Sequence, residues 1–343
     1  MTTLTIGKRS IGPGHPAFII AEIGSNHDQK LDQAKKLIEA AAAAGADAVK
    51  FQLFKADALY PKDSPVHAIL KSIELSRDWL ASLARHAAER GVECFASPFD
   101  LPAVDALETA GASAYKVASS EVTNLPLVKY MASKKKPVLL STGMCDLADV
   151  YEAVEVIRSE GNEQILIFQC TSLYPLENRH IHLRAMQTLA STFQCPVGLS
   201  DHTLGTLMPS VAVAMGACSI EKHLTLSRKL KGPDHGYALE PEDFKRMISQ
   251  IREVEEALGS PKKTLLAEEA VHARRESLHA ARALSAGSIL EPCDIVVQRP
   301  AGGIRPRYLP AVLGARLKKS LAKGDTLSWE VLEIPTAGPA WRA

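Results

Sequence analysis

The chain has 343 residues, of which 46% are hydrophobic and 23% are charged, as expected for a globular protein with room for a full core and more than one domain. Its formal net charge of +1 excludes bulk attraction to nucleic acid or anionic membranes, so any bound anion must be held by a local cluster. Six scattered cysteines without a CxxC pair, no apolar signal region and no membrane-length apolar stretch predict a soluble protein of the reducing cytoplasm.

Short apolar runs alternate with longer amphipathic segments in the first three quarters of the chain. The eight runs lie at 17–24, 48–54, 92–99, 114–121, 137–144, 165–172, 196–203 and 219–226. Near-continuous apolar strands that alternate with helices indicate a parallel sheet covered by helices, in the α/β class. Eight regular units predict a closed (β/α)8 TIM barrel over 1–259, with 1–16 covering its base. A doubly wound open sheet is the less favoured alternative.

The composition changes after the barrel. Residues 260–277 are charged and helical in pattern, which is typical of a linker. Two later segments, "LSAGSILEPCDIVV" (284–297) and "LAKGDTLSWEVLEI" (321–334), share Leu-x-x-Gly-x-x-Leu, an acidic residue and an apolar end. This weak repeat of short strands and turns predicts a small β-rich domain over 278–336. The last residues, 337–343, are predicted to be a disordered tail.

Polar residues end every predicted strand of the barrel. They are Glu22 with Asn26 and His27, Lys50, Gln52, Ser97, Lys116, Ser119, Glu121, Ser141, Thr142, Thr171, Ser172, Tyr174, Ser200, Asp201, His202, Glu221, Lys222 and His223. Each alone has an ordinary explanation, such as a helix cap or a lysine that reaches solvent. We expect all eight strand ends to converge on one mouth, where active sites of such barrels lie. Burying these lysines and carboxylates together there without a ligand would be too costly.

The residue types at the strand ends suggest two kinds of binding. Lysines and hydroxyls suit a phosphate- and carboxylate-binding cradle, formed by Lys50, Lys116, Ser97, Ser119, Ser141 and Ser200. His202 and His223 can ligate one metal ion, and two protein ligands leave positions open for Lewis-acid chemistry. Because no cysteine accompanies this pair in the sequence, an ion resembling Mn²⁺ or Mg²⁺ is favoured over structural zinc.

Acidic residues supply the remaining candidates. Glu22 and Glu121 could act as a general base or position water. The loop 231–241, after the eighth strand, carries Asp234, which could hold sugar hydroxyls. The residue pattern does not choose between the two glutamates.

Ordered sequence blocks reveal a family resemblance that runs from about residue 15 to 335. The blocks are "FIIAEIGSNH", "GADAVKFQLFKA", "AYKVASSE", "LSTGM", "CTSLYP", "VGLSDHTLG", "IEKHLTL" and "GPDHGYALEP". They resemble the signature blocks of the sialic acid synthase (N-acetylneuraminate synthase) family. The later block "VQRPAGGIRP" resembles the antifreeze-like SAF domain of that family, a small β-rich domain of β-clip type.

The resemblance implies a transferase that condenses phosphoenolpyruvate with an N-acyl aminosugar aldehyde. N-Acetylmannosamine is the expected acceptor, and the products are N-acetylneuraminate, a nine-carbon 2-keto sugar acid, and phosphate. By position, the family's phosphoenolpyruvate pocket matches Lys50, Ser97, Lys116, Ser119, Ser141 and Ser200. Residues around the sugar and the reacting atoms match Glu22, Gln52, Glu121, Ser172, Tyr174 and Asp234.

The resemblance also implies a cofactor and a partner. The family's metal ligands match His202 and His223, with Mn²⁺ as the expected ion and Mg²⁺ or Co²⁺ as alternatives. Arg299 matches an arginine of the SAF domain that reaches into the partner's barrel in domain-swapped homodimers. No nucleic-acid or membrane partner is expected.

Departures from the family pattern leave the acceptor open. Ser120 replaces a usual glycine, and the blocks "NHDQ" and "RPAGGI" also differ from the common form. A legionaminic or pseudaminic acid synthase, or a spore-coat polysaccharide synthase, is therefore an alternative with a different aminosugar. A remote alternative of another class is a non-catalytic surface- or sugar-binding protein with an inert barrel. The charged groups at the strand ends argue against it, because an inert barrel does not need them.

Overall fold

The structure, a computed structural model, describes residues 3–271 and 274–333. The chain divides into two compact units, 1–259 and 260–343. The predicted disordered tail at 337–343 lies outside the described residues. Within the described residues, no helix is long and apolar enough to cross a membrane.

The first unit contains a two-stranded hairpin and an eight-stranded parallel sheet. The hairpin is β1 (Leu4–Ile6) and β2 (Arg9–Ile11), and the sheet contains β3 (Phe18–Gly24), β4 (Ala48–Leu53), β5 (Glu93–Pro98), β6 (Tyr115–Val117), β7 (Val138–Ser141), β8 (Ile165–Cys170), β9 (Val197–Asp201) and β10 (Ser219–His223). Neighbours in the sheet are neighbours in sequence, except that the last strand, β10, pairs with the first, β3. That pairing curls the sheet into a circle, which β5 and β6 complete by lying side by side. The predicted barrel is therefore confirmed.

Helices cover the outside of the barrel between successive strands. They are α1 (Leu31–Ala44), α2 (Ala56–Leu59), α3 (Pro65–Lys71), α4 (Leu80–Glu89), α5 (Leu101–Thr109), α6 (Leu125–Ser133), α7 (Leu147–Ser159), α8 (Ala185–Phe193), α9 (Leu207–Ala214) and α10 (Pro241–Leu258). In α1 the buried side chains recur at helical spacing, as in Leu37, Ile38 and Ala41, which is the apolar stripe expected of a helix on a sheet. This helix ends at Gly45, whose φ of 93° favours glycine.

The hairpin closes the base of the barrel, the end where the strands begin. Leu4, Ile6 and Ile11 are buried in the same apolar core as the strands and helices. Arg9 pairs with Asp47, directly before β4, at 2.5 Å. The amino-terminal segment therefore covers the base, as predicted, and the opposite end is left open.

Close strand packing also shapes the interior below that open end. At Gly198 in β9, an added Cβ would lie 2.7 Å from the Ser219 carbonyl oxygen and 2.8 Å from the Phe168 ring. Only glycine therefore allows β9 to approach its neighbours in this way. The predicted strand at 114–121 is shorter in the structure, because β6 ends at Val117 and Ser119–Glu121 forms a 3₁₀ turn.

The second unit is small and β-rich. It contains α11 (Ala267–Val271), β11 (Ser277–Ala280), β12 (Ile295–Gln298), α12 (Leu309–Val312), β13 (Arg316–Leu317) and β14 (Leu332–Glu333), with β11 paired to β12 and β13 to β14 in antiparallel fashion. The predicted repeat is visible as two similar halves. Leu284 and Leu321, the first residues of the two segments, exchange both backbone hydrogen bonds at 2.8 Å. Each half then turns at a glycine of positive φ, Gly287 or Gly324.

Candidate active site at the mouth of the barrel

A cavity of about 310 Å³ lies at the carboxyl ends of the barrel strands. Of the predicted site residues, those that line it are Glu22, Lys50, Gln52, Ser97, Lys116, Ser119, Ser141, Ser172, Tyr174, Ser200, His202 and His223. They come from the ends of β3 to β10 or from the loops that follow. The structure therefore brings together all but three of the residues to which the sequence assigned a catalytic, substrate-binding or metal-binding role.

Two lysines and two carboxylates form the charged centre of the cavity. Lys50 Nζ lies 3.1 Å from Glu22 Oε2 and 3.5 Å from Glu221 Oε1. Lys116 Nζ lies 3.6 Å from the same Glu221 oxygen, which also accepts a hydrogen bond of 2.9 Å from Ser200 Oγ. Because Glu221 lies between the lysines, it reduces the repulsion between two ammonium groups that point into one small space.

Serine hydroxyls surround the two ammonium groups. Lys116 Nζ donates to Ser141 Oγ, and Lys50 Nζ donates to Ser97 Oγ at 3.4 Å. Both lysines are nearly inaccessible to solvent, at 1% and 4% exposure. A buried cationic group held by fixed hydroxyls is suited to bind a phosphate or carboxylate oxygen without reorganisation.

The two carboxylates differ in their affinity for protons. Burial raises the pKa of Glu22 to about 7, although Lys50 acts in the opposite direction. Burial also acts to raise the pKa of Glu221, but Lys116 and Lys50 outweigh it and lower this pKa to about 2. Near neutral pH the cavity thus holds one permanent carboxylate and one carboxyl group that can bind or release a proton, which is a pattern typical of acid–base sites.

The predicted histidine pair lies at the edge of the cavity. The ring centroids of His202 and His223 are 5.5 Å apart, and the Tyr174 ring packs 4.2 Å from that of His202. Nδ1 of His202 lies 3.0 Å from the Thr171 carbonyl oxygen, so this nitrogen carries the proton and Nε2 keeps its lone pair. Burial lowers the pKa of His223 to about 3, so its imidazole is neutral at physiological pH.

The histidine pair fits an open metal site. Nδ1 of His223 is buried and has no hydrogen-bond partner among the described residues, so a lone pair is available there for a cation. In residues 3–271 and 274–333, no group of three or more His, Cys, Asp or Glu side chains is arranged to hold a metal. Two imidazoles would thus be the protein ligands of such an ion, with further positions open to water or substrate.

One premise about this pair is wrong. The sequence suggested that no cysteine accompanies the histidines, but Cys170 lines the cavity near His202, where it raises the histidine pKa although burial acts to lower it. Strands β8 and β9 are adjacent, with Cys170 in register with Ser200. Residues far apart in the sequence thereby become neighbours.

Asp234 lies beside the cavity and holds a loop in place. Its Oδ2 accepts hydrogen bonds from the backbone N–H and the hydroxyl of Ser25, at 2.9 and 2.7 Å, and its Oδ1 accepts from Tyr237 at 2.8 Å. Gly24 allows this approach, since its φ is 52° and an added Cβ would lie 2.7 Å from Asp234 Oδ2. The carboxylate is thus fixed next to His223, where it interacts with that histidine electrostatically.

Glu121 and Arg299 are the predicted residues that lie elsewhere. Glu121 is buried on the 3₁₀ turn after β6, does not line the cavity, and accepts a hydrogen bond of 3.0 Å from Asn124. Arg299 belongs to the second unit, where it lies half-exposed and pairs with Glu276 at 3.3 Å.

Sequence reasoning missed several residues that line the cavity, namely Phe99, Ala118, Ser120, Met144 and Cys170. Glu221 was expected at the mouth and does line the cavity, but no role was assigned to it from the sequence. Its direction follows from strand geometry. Side chains alternate between the two faces of a strand, so a metal-binding His223 that points inwards places Glu221 on the same side.

The same alternation corrects the expectation for Asp201 and Lys222. Both were expected at the mouth. However, Asp201 follows Ser200, and Lys222 lies between Glu221 and His223, and these three neighbours line the cavity. They therefore point to the outer side of the barrel, where they form a buried ion pair of 2.6 Å. The number of buried charges at the mouth is smaller than the sequence suggested.

The barrel carries lysines, carboxylates and a histidine pair at the carboxyl ends of its strands, which is where enzymes of this fold have their active sites. Comparison with known proteins defines the enzyme class. A family model described as NeuB family matches residues 37–263, and one described as SAF domain matches residues 275–333. The chain therefore belongs to the NeuB family and is a transferase of the sialic acid synthase type, which confirms the resemblance seen in the sequence.

The similarity to individual relatives extends over nearly the whole chain. An N,N'-diacetyllegionaminic acid synthase from Legionella pneumophila is 41% identical, covering 95% of this chain and 98% of the relative. Human N-acetylneuraminate-9-phosphate synthase is 33% identical, covering 95% of each. The crystal structure of the N-acetylneuraminic acid synthetase from Leptospira borgpetersenii, with citrate bound, is 31% identical with a TM-score of 0.75, covering 79% of this chain and 95% of that one.

Proposed function

We propose that this protein condenses phosphoenolpyruvate with the open-chain aldehyde of an N-acetylated aminosugar and water, to give a nine-carbon 2-keto sugar acid and phosphate. The observation that carries the proposal is the pair of buried lysines, Lys50 and Lys116, set among hydroxyls beside the His202–His223 pair. This combination provides a polyanion site and a cation site within one cavity.

The lysine side of the cavity would hold phosphoenolpyruvate. Lys50 and Lys116 neutralise its phosphate and carboxylate charge, and Ser97, Ser141 and Ser200 add hydrogen bonds. Because these groups are already ordered and shielded from water, they keep the enol carbon close to the acceptor carbonyl.

The histidine side would hold a divalent metal ion. His202 and His223 are its ligands in this proposal, with Mn²⁺ as the expected ion and Mg²⁺ or Co²⁺ as alternatives. When bound, the ion would polarise the aldehyde carbonyl for attack.

Glu22 is the better supported carboxylate for directing water to C2 of the enol. It lines the cavity, whereas Glu121 does not, and Gln52 Nε2 donates to its Oε1 at 2.9 Å. With a pKa of about 7, Glu22 can exchange a proton with bound water at neutral pH.

Two acceptors are candidates. N-Acetylmannosamine is the acceptor expected from the family resemblance. The acceptor that leads to N,N'-diacetyllegionaminic acid is favoured by the 41% identity to the Legionella pneumophila synthase, against 33% to the human relative. The tyrosines beside Asp234 and the histidines, Tyr174 and Tyr237, would pack against either sugar.

A release assay with labelled water tests the reaction. Phosphate release from phosphoenolpyruvate is measured with a panel of 2-acetamido and diacetamido sugars, and the products are identified by mass spectrometry. If water attacks C2, oxygen from labelled water is found in the C2 hydroxyl and the phosphate keeps its bridging oxygen. Labelled phosphate would show attack at phosphorus and would contradict the mechanism.

The active form is proposed to be a domain-swapped homodimer in which Arg299 contacts the acceptor in the partner's barrel. The proposal is supported by the family resemblance of "VQRPAGGIRP" and by the exposure of Arg299 within its own unit. Coexpression of His202→Ala with Arg299→Ala tests it. A swapped heterodimer contains one wild-type site and should approach half of wild-type activity, whereas an unswapped one stays inactive.

The reaction is proposed to take place in the cytoplasm. All six cysteines are described and are free thiols, as in other proteins of a reducing compartment.

A further inference from the structure

A buried ion pair lies on the outer side of the barrel, directly behind the histidine pair. Lys222 Nζ is 2.6 Å from Asp201 Oδ2, and both side chains are almost completely shielded from solvent. The two residues face each other in the ladder between β9 and β10. The pair does not line the cavity, and the proposed reaction assigns it no role.

Thr203 joins this pair into a three-residue clamp. Asp201 Oδ1 accepts from the Thr203 backbone N–H at 2.9 Å, and Oδ2 accepts from the Thr203 hydroxyl at 3.1 Å. Lys222 Nζ also donates to the Thr203 carbonyl oxygen. The clamp therefore ties the end of β9 to β10 through side-chain atoms, beyond the backbone ladder.

Both metal-binding candidates are attached to this clamp by the backbone. His202 lies between Asp201 and Thr203, and His223 directly follows Lys222. Whereas His202 is also oriented through the Thr171 carbonyl, Nδ1 of His223 has no hydrogen-bond partner among the described residues. The His223 ring is thus positioned by its backbone, by packing against Tyr174 and Tyr237 and by the charge of Asp234, without a hydrogen bond at Nδ1.

We propose that Asp201, Lys222 and Thr203 are positioning residues that set the separation of His202 and His223 for a divalent cation. The inference rests on the metal role in the proposed function. A site with only two protein ligands gains affinity when both imidazoles are held at the correct separation before the ion arrives. Stability alone does not explain the clamp, since apolar residues in place of a buried ion pair are often as stable.

Cobalt binding tests this proposal on the full-length chain, freed of metal by chelation and dialysis. The main variant is Asp201→Asn with Lys222→Met, which removes both charges together, while the asparagine oxygen can still accept from the Thr203 backbone. The visible absorption of Co²⁺ reports affinity and ligand geometry, and circular dichroism and urea unfolding of the apo protein report folding. His202→Ala with His223→Ala defines the signal without the site.

Asp47→Asn is the matched control. The Asp47 carboxylate is also largely shielded from solvent, pairs with the partly exposed Arg9 and accepts a backbone hydrogen bond from Ile19 at 2.8 Å, but it lies at the base of the barrel. Its substitution is expected to leave cobalt affinity unchanged within about twofold, because it is not connected to the histidines.

The double variant is expected to bind Co²⁺ at least about 10-fold more weakly than wild type and with altered absorption bands. Thr203→Val keeps the side-chain shape and removes a single hydrogen bond, so it should give a smaller loss of cobalt affinity. If the double variant does not fold, Thr203→Val provides the test instead. Cobalt affinity and bands like those of wild type in a folded variant would overturn the inference while leaving the metal role intact. A wild-type protein that binds no Co²⁺ would overturn the metal role, and this inference with it.

Discussion

The two ends of the barrel use buried charge in different ways. At the base, two acidic side chains are both paired and hydrogen-bonded: Asp47, largely shielded, accepts from Ile19 and pairs with Arg9, and Glu255, partly exposed, accepts from Ala17 at 2.6 Å and pairs with Arg252 at 2.9 Å. At the mouth, some buried polar atoms lack a hydrogen-bond partner. Glu221 Oε2 and His223 Nδ1 are buried without hydrogen-bond partners among the described residues.

This difference distinguishes charged groups that stabilise the fold from buried polar groups that are available to bind a ligand. An unsatisfied buried polar atom costs about 1–3 kcal/mol, and two such atoms in one cavity are a pattern expected of a ligand-binding site. The contrast predicts that substitutions at the mouth affect activity with little loss of stability, and that substitutions at the base do the reverse.

Removal of the metal ligands should give the largest effect. We expect His202→Ala or His223→Ala to lower kcat by roughly 1,000-fold, because polarisation of the carbonyl contributes several kcal/mol to the transition state. Chelation of the wild-type enzyme should abolish activity, and Mn²⁺ should restore it.

The control for the histidines is His15→Ala, at the base of the barrel, which should leave kcat unchanged. Circular dichroism and unfolding of all three variants check that the fold is kept. Full activity in excess chelator would exclude the metal role.

Lys116 should give the next largest effect. Lys116→Ala is expected to raise KM for phosphoenolpyruvate by roughly 100-fold, since hydrogen bonds to charged groups contribute about 1.5–3 kcal/mol. KM for the sugar should change little. Initial rates with each substrate varied in turn measure both constants, and Lys134→Ala on the surface is the control. A change confined to the sugar would contradict the assignment of the lysine side to phosphoenolpyruvate.

The sequence predicted the barrel and most of the mouth because both follow from local patterns. Apolar runs mark the strands, and the carboxyl ends of parallel strands must meet at one end of a closed barrel. The wrong predictions concerned which face of a strand individual side chains occupy. Asp201 and Lys222 were expected inside, and Glu221 was not chosen, because alternation fixes which face a residue occupies only once one residue of the strand is assigned.

Contacts between distant segments also could not be predicted from the sequence. Cys170 meets His202 because β8 and β9 pair in one particular register, which no local pattern specifies. Glu121 appeared equivalent to Glu22, but the chain turns into a 3₁₀ turn directly after β6 and directs Glu121 towards Asn124.

Glu22 sharpens the comparison because its substitution should stabilise the protein, whereas that of Glu255 at the base should destabilise it. Its pKa is about 7 in the folded chain, against a usual value of 4.5. The folded state therefore binds this proton more tightly, and the resulting stabilisation is complete below pH 4.5 and lost as the pH rises through 7. A neutral glutamine at this position avoids that loss.

We expect Glu22→Gln to stabilise the apo protein by roughly 2 kcal/mol at pH 8 and by much less at pH 5. The same variant should lose most of its activity. Urea unfolding at the two pH values, with the activity assay, measures both. Equal stability of variant and wild type at pH 8 would show that Glu22 is not destabilised by its burial.

The smallest effect is expected at the base, from Glu255→Gln. The carboxylate of Glu255 is partly exposed and pairs with Arg252, and the amide oxygen can still accept from the Ala17 backbone, so the loss should be at most about 1 kcal/mol of unfolding free energy. Neither kcat nor either KM should change, because Ala17 lies directly before the first barrel strand, at the end of the barrel opposite the cavity. Urea unfolding and initial rates measured on one preparation test both statements. If Glu255→Gln lowered kcat tenfold while the protein stayed folded, the base would be coupled to the chemistry at the mouth, and the separation between the two ends of the barrel would fail.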